Sequence, residues 1–97
     1  MRFKDSIKYN IPGTVLILMA AEKVYNKHGK EVVITSLMDG KHMKNSKHYI
    51  GEAVDLRTYF FSKNTVLAVA ADLQKELGSN YDVLVEEDHI HIEYDPE

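Results

Sequence analysis

The chain has 97 residues, a formal net charge of −3 and 44% hydrophobic residues, which predicts a single domain spanning residues 1–97. It contains no cysteine, so disulfides and thiolate metal sites are excluded. The acidic balance and the lack of a basic stripe argue against nucleic-acid binding. The longest apolar run, 15–21, is too short to span a bilayer, and the polar start of the chain does not resemble a signal peptide. We therefore expect a protein that is made in the cytoplasm and does not bind membrane.

The N-terminal third predicts an arm followed by a helix. Residues 1–12 alternate apolar and polar side chains in their second half, which indicates a short edge strand or an extended arm that ends at Pro12. Thr14 suits the N-cap of a helix that runs to about His28, where an imidazole in the last turn is expected to be structural. The first half of that helix, 15–19, is apolar all round, so we expect it to be well buried.

The rest of the chain predicts a sheet and a second helix. Ser62 or Asn64 caps this helix, and Glu87-Asp88 forms a turn or bulge between the last two strands. The aromatic run 59–61 belongs either to the core or to a pocket wall. Together the elements predict an α+β domain with an antiparallel sheet and two helices. The strands are expected over 31–36, 53–57, 81–86 and 89–94, and the second helix over 65–77.

The last strand carries a compact group of polar side chains. His89, His91 and Glu93 alternate with Ile90 and Ile92, and alternate residues of a strand point to the same face. Two imidazoles and a carboxylate are therefore expected together on one face, backed by apolar side chains.

A second group of metal-type ligands lies in the stretch from Ser46 to Asp55. His48 and Asp55 are seven residues apart, with Gly51 between them. On a straight strand they would point to opposite faces and lie roughly 23 Å apart, at about 3.3 Å per residue. The chain must bend if both bind one ion, and glycine tolerates the backbone angles of such a bend. Catalytic zinc usually takes three His or carboxylate ligands and leaves one position for water.

This stretch resembles the first motif of the zinc D-Ala-D-Ala carboxypeptidases, a family that includes the dipeptidases of vancomycin resistance and the L-alanyl-D-glutamate endolysins of phages. The second motif of that family, an acidic residue three before a histidine, is matched by Asp88 and His91. The His-x-His of the last strand is similar to that of Hedgehog signalling domains and lysostaphin-type endopeptidases. The resemblance covers roughly residues 30–95. All five fixed residues of the first motif are present: Ser46, His48, Gly51, Ala53 and Asp55.

The resemblance implies a Hedgehog-like fold and one zinc ion. Its ligands would be His48, Asp55 and His91. Glu93 is expected to hold a ligand imidazole from behind, as carboxylates next to metal sites do.

The resemblance also implies the catalytic groups. Asp88 would be the general base and Glu87 is the alternative. A straight strand would set Asp88 and His91 on opposite faces, so a kink at Asp88-His89 is required. His89 would stabilise the oxyanion.

Substrate-binding residues are expected around the first motif. In the family a basic residue grips the substrate carboxylate, and Lys41 is the candidate here because the usual arginine is absent. Ser46 would bind substrate or hold the loop. Arg57 lies two residues beyond Asp55 and either pairs with a carboxylate near the site or lies on the surface. His42 is a surface residue or a further member of the site.

These expectations combine into a zinc-dependent peptidase that cleaves peptidoglycan stem or cross-link peptides, as a D-Ala-D-Ala carboxypeptidase or as an endopeptidase. The expected cofactor is Zn²⁺ and the expected protein is a monomer that acts at a bacterial cell wall once released or exported. The alternative is a non-catalytic zinc-binding module of the same fold, used for partner binding or as a phage structural component.

Overall fold

The computed structural model describes residues 2–3, 14–38 and 53–95, with side chains for 14–37 and 53–95. The predicted arm beyond residue 3 and the loop after the second strand lie outside the described residues. The described elements are β1 (Arg2–Phe3), α1 (Val15–Lys27), β2 (Val33–Met38), β3 (Ala53–Arg57), α2 (Lys63–Leu77), β4 (Tyr81–Val85) and β5 (His89–Tyr94).

The strands form one sheet in the order β1-β2-β3-β5-β4. The four strands β2, β3, β5 and β4 pair with one another in antiparallel fashion, which confirms the predicted antiparallel sheet. The two-residue β1 departs from the prediction, because it pairs with β2 in parallel. Parallel neighbours need a crossover connection, and α1 lies between β1 and β2 in the chain.

Both helices pack on one face of the sheet and enclose the core between the two layers. Strand alternation sends every second side chain of β3 and β5 into that core, and these side chains are almost fully buried. They meet the apolar stripes of both helices in one cluster. The buried residues from the two strands are Val54, Leu56, Ile90 and Ile92.

The expectation that the first half of α1 is well buried is wrong. Leu16 is 60% exposed and Met19 is 62% exposed, whereas Ile17 and Leu18 are buried. Only one face of α1 meets the core, and a helix with 3.6 residues per turn cannot turn five consecutive side chains to one face. The apolar composition of residues 15–19 therefore did not determine which of these side chains are buried.

The start of α2 is set by a side-chain cap. Ser62 has an extended backbone conformation, and its Oγ accepts a hydrogen bond of 3.2 Å from the Thr65 N–H. This contact selects Ser62 over Asn64 and starts the helix two residues before the predicted 65. The helix ends at Gly78, whose φ of 88° is in the region that favours glycine.

Polar contacts join the two helices. His28 Nε2 lies 2.9 Å from Asp72 Oδ2, and Lys23 pairs with Glu76 at 2.7 Å. His28 therefore has a structural role, as expected, because it joins the end of α1 to α2. Within the described ranges, neither helix is long and apolar enough to cross a membrane.

Candidate metal centre

The register of β3 and β5 assembles polar side chains on the outer face of the sheet, opposite the helices. Asp55 lies directly across from His91, and Arg57 lies directly across from His89. Because alternate residues share a face, Glu93 joins this group two residues beyond His91. The predicted grouping of His89, His91 and Glu93 on one face is confirmed by this register.

Carboxylates and imidazoles alternate across this face in a continuous chain of contacts. Asp55 Oδ1 lies 2.7 Å from His91 Nδ1 and 3.7 Å from His89 Nε2. Beyond His91, the other ring nitrogen, Nε2, lies 3.0 Å from Glu93 Oε1. Beyond His89, its Nδ1 lies 2.7 Å from Asp88 Oδ1. We call the five residues Asp88, His89, Asp55, His91 and Glu93 the acid–imidazole chain.

His91 is the most tightly held member of the acid–imidazole chain. Its side chain is 19% exposed and that of Asp55 is 21% exposed. Burial disfavours the charged imidazole, but the hydrogen bonds to Glu93 and Asp55 outweigh it, and the pKa of His91 is raised. An ionised carboxylate only accepts hydrogen bonds, so both ring nitrogens of His91 donate in this arrangement.

Two of the three predicted zinc ligands, Asp55 and His91, lie close enough to bind one ion. Glu93 holds Nε2–H of His91, which leaves Nδ1 directed at Asp55, and this is the carboxylate–histidine arrangement found behind zinc sites. Tetrahedral ligands with bonds of about 2.0–2.1 Å lie roughly 3.3 Å apart. The observed 2.7 Å is a hydrogen bond, so a bound ion would replace its proton and widen the pair by about 0.6 Å.

The third predicted ligand, His48, lies outside the described residues, as do Ser46, Lys41 and His42. Within the described part of the chain, no group of three or more His, Asp or Glu side chains could hold a metal ion. The structure thus brings Asp55 and His91 together, and the role of His48 as third ligand stays a prediction.

Asp88 lies in the turn between β4 and β5 rather than within β5. The turn is closed by a hydrogen bond of 2.8 Å from the Glu86 N–H to the His89 carbonyl. This turn provides the departure from a straight strand that the sequence required at Asp88-His89. The Asp88 side chain is 84% exposed, and the hydrogen bond from His89 lowers its pKa. Its neighbour Glu87 is also exposed.

Arg57 lines a cavity of about 460 Å³ at the Asp88 end of the acid–imidazole chain. Its guanidinium carbon lies 5.3 Å from the centre of the Tyr59 ring, a cation–π geometry. The other lining residues are Thr35, Tyr59, Asp88 and His89. Arg57 therefore lies beside the candidate centre and contacts Tyr59, so it is more than an isolated surface residue.

Thr35 is a member of the site that the sequence did not indicate. Its Oγ donates a hydrogen bond of 3.4 Å to the Asp55 carbonyl, and it lines the same cavity as Arg57. A bulge between Ile34 and Ser36 interrupts the pairing of β2 with β3 at this position. Simple alternation therefore gave no signal for Thr35, because a bulge re-aims the side chain.

Comparison of the chain with protein-family models, with curated proteins and with solved structures found no match. The geometry of the acid–imidazole chain and the residues of the two motifs are therefore the basis for assigning a function.

Proposed function

We propose that this protein is a zinc-dependent peptidase that acts on peptidoglycan stem or cross-link peptides, at bonds to or between D-amino acids. One observation carries the proposal: Asp55 and His91, from the two separate motifs, lie side by side at 2.7 Å on the outer face of the sheet. They are 36 residues apart in the chain, so the fold alone makes them neighbours. The substrate class rests on the resemblance of the motifs.

The ion would be held by His48, Asp55 and His91. Bound zinc would supply Lewis acidity, which activates water for attack on a peptide carbonyl. Glu93 accepts a hydrogen bond from His91 Nε2 and would keep the remaining proton there once the ion had displaced the proton of Nδ1.

Asp88 is the group we assign to proton transfer. Its carboxylate is ionised at neutral pH, as an aspartate ordinarily is, so its oxygens can accept a proton from the attacking water; the hydrogen bond from His89 lowers its pKa and makes it a weaker base. His89 orients this carboxylate through Nδ1–H. The opposite nitrogen of His89, Nε2, lies 3.7 Å from Asp55, which is too far for a hydrogen bond. Protonated at both nitrogens, His89 would donate from Nε2 to a developing oxyanion.

Arg57 is the cation best placed among the described residues to bind a substrate carboxylate. It lies on the same face as Asp55 and lines the cavity that contains Asp88 and His89. A planar guanidinium binds a carboxylate through two parallel hydrogen bonds. Lys41 and Ser46, which lie outside the described residues, remain the further candidates for this task.

A non-catalytic zinc-binding module of the same fold is the second candidate. The observation that favours it is the exposure of Asp88, whose side chain is 84% accessible. A catalytic carboxylate is more effective in a site from which water is excluded, because charges interact more strongly there.

The test is the zinc content of purified protein, measured by elemental analysis after reconstitution and removal of loosely bound metal. We expect about one zinc per chain in the wild type and a loss of that zinc in His48→Ala. His28→Ala is the matched control, because His28 pairs with Asp72 on the helices and lies outside the acid–imidazole chain. Wild-type protein without zinc would overturn the peptidase proposal. Equal zinc loss in both variants would show that the loss reflects general destabilisation.

A further inference from the structure

A groove of about 520 Å³ lies between the start of α2 and the turn of the β4–β5 hairpin. Its walls are apolar and its rim on one side is the turn 86–88. We call it the hairpin groove and define it by the wall residues Phe61, Val66, Leu67 and Val85 with that turn. None of the roles proposed above uses these walls.

The hairpin groove gathers exposed apolar side chains. Seven large hydrophobic residues are exposed in the described part of the chain, and three of them, Tyr59, Leu67 and Val85, line this groove. Its base includes Val66, which is buried, and Phe61, which packs edge-on against Tyr25 at 5.1 Å. Exposed apolar side chains that converge on a concave surface mark binding sites more often than scattered ones do.

The rim of the hairpin groove is acidic at the turn. Glu86, Glu87 and Asp88 are consecutive and exposed. Within the described residues neither Glu86 nor Glu87 has an ion-pair partner, and the hydrogen-bonded turn fixes the backbone of all three. Among the described residues, the only basic one that lines the groove is Lys63, at the first position of α2. The groove thus has apolar walls between a negative turn and a positive helix end.

The hairpin groove is continuous with the candidate centre. Asp88 and Tyr59 line both this groove and the neighbouring cavity that contains Arg57 and His89. A peptide bound in the cavity at the Asp88 end of the acid–imidazole chain would therefore lie next to the groove.

We infer that the hairpin groove binds the side chain of a basic residue of the peptide substrate, with its aliphatic stem on the apolar walls and its terminal ammonium at Glu86 and Glu87. This inference rests on the proposed function for the presence of a peptide at the centre. A lysine-type side chain has an apolar stem and a charged tip, which matches apolar walls that end in carboxylates. Lys63 repels a cation at the helix end of the groove, so the ammonium is directed to the turn.

The test compares N-acetyl-L-lysyl-D-alanyl-D-alanine with the peptide that has norleucine in place of lysine. Binding is measured by NMR titration of the methyl signals of Val66, Leu67 and Val85, and turnover by release of D-alanine. The variant is Glu86→Gln with Glu87→Gln, which keeps the size of both exposed side chains. The control, Asp82→Asn with Asp95→Asn, removes the same charge at the opposite end of the hairpin.

We expect the wild type and the control to bind the lysine peptide about 3- to 10-fold more tightly than the norleucine peptide, as two exposed carboxylates would produce. The Glu86/Glu87 variant should bind both peptides equally, and raised salt should reduce the preference in the wild type. Equal binding of both peptides by the wild type, or the same loss in the control, would overturn the inference. Release of D-alanine without a lysine preference would refute the role of the groove and support the proposed peptidase function. A lysine preference in binding with no release of D-alanine from either peptide would support the assignment of the groove and overturn the carboxypeptidase form of the proposed function.

Discussion

Replacing Glu93 with alanine tests whether the acid–imidazole chain is built to hold a metal. Glu93 Oε1 lies 3.0 Å from His91 Nε2, so the Nε2 proton keeps its acceptor when a metal ion takes the place of the Nδ1 proton. Without the carboxylate, a neutral His91 would keep its proton on Nδ1, where Asp55 accepts it at 2.7 Å. The nitrogen directed at Asp55 would then carry a proton, and a protonated nitrogen cannot be a ligand.

The expected magnitude follows from what such orienting carboxylates do elsewhere. Their removal typically weakens metal affinity by about 10- to 100-fold, or about 1.4–2.7 kcal/mol. Glu93→Ala should show a loss in this range. Glu93→Gln retains an acceptor oxygen but loses the charge, so its loss should be smaller than that of Glu93→Ala.

The assay is competition for zinc with a chelating dye at neutral pH. Asp82→Asn is the matched control, since Asp82 lies directly across β4–β5 from Glu93 and carries the same charge. We expect the control to bind zinc as the wild type does. Zinc affinity in Glu93→Ala within about twofold of the wild type, or an equal loss in Asp82→Asn, would refute the idea that Glu93 orients a ligand.

Three further predictions address the base, the helix cap and a repulsive pair. Asp88→Asn should lower kcat by about 100-fold or more and leave zinc content unchanged; unchanged turnover would exclude Asp88 as the base. Ser62→Ala should lower the free energy of unfolding by about 1 kcal/mol in denaturant titrations, because the Thr65 N–H loses its acceptor. Burial and the neighbouring Asp95 raise the pKa of Asp82, so its ionisation disfavours the folded state. Asp82→Asn should therefore raise stability by about 0.2–1 kcal/mol at neutral pH, as removal of a like-charge contact does. This gain should disappear as the pH falls below about 4, where the aspartate is protonated in both states, and a gain that persists there would exclude the repulsion as its cause.

The sequence predicted the elements of the fold well wherever periodicity was strong. The bounds of β3 agree with the prediction, and α1 begins directly after the predicted cap residue Thr14 and ends at Lys27, one residue before the predicted His28. The second strand begins at Val33 rather than at 31 and continues to Met38, because pairing with β1 and β3 defines its ends. Those partners are distant in the chain, and local pattern carries no information on them.

The exposure of Leu16 and Met19 shows where composition fails. Both side chains belong to an apolar run, yet they lie on the face of α1 that turns away from the core. Hydrophobicity raises the chance of burial without fixing the orientation of a helix, because the orientation is set by the sheet and by α2.

The five members of the acid–imidazole chain were predictable from the sequence, whereas Thr35 and the contacts within the chain were not. Alternation along β5 placed His89, His91 and Glu93 on one face, but the position of Asp55 opposite His91 depends on the register of two strands. The registry of β3 against β5 also decides which imidazole is held more tightly: Asp55 is 2.7 Å from His91 and 3.7 Å from His89.

That asymmetry distinguishes the roles of the two histidines. His91 has carboxylates at both ring nitrogens and is the less exposed of the two, so its orientation is fixed before any ligand binds. His89 is hydrogen-bonded at one nitrogen only, within the described residues; its other nitrogen lies 3.7 Å from Asp55, and the residue lines the cavity that it shares with Arg57. A metal ligand benefits from the first arrangement, because little ordering is left to occur on binding. A group that interacts with a reacting substrate needs the second, because one nitrogen must be available to the incoming atoms.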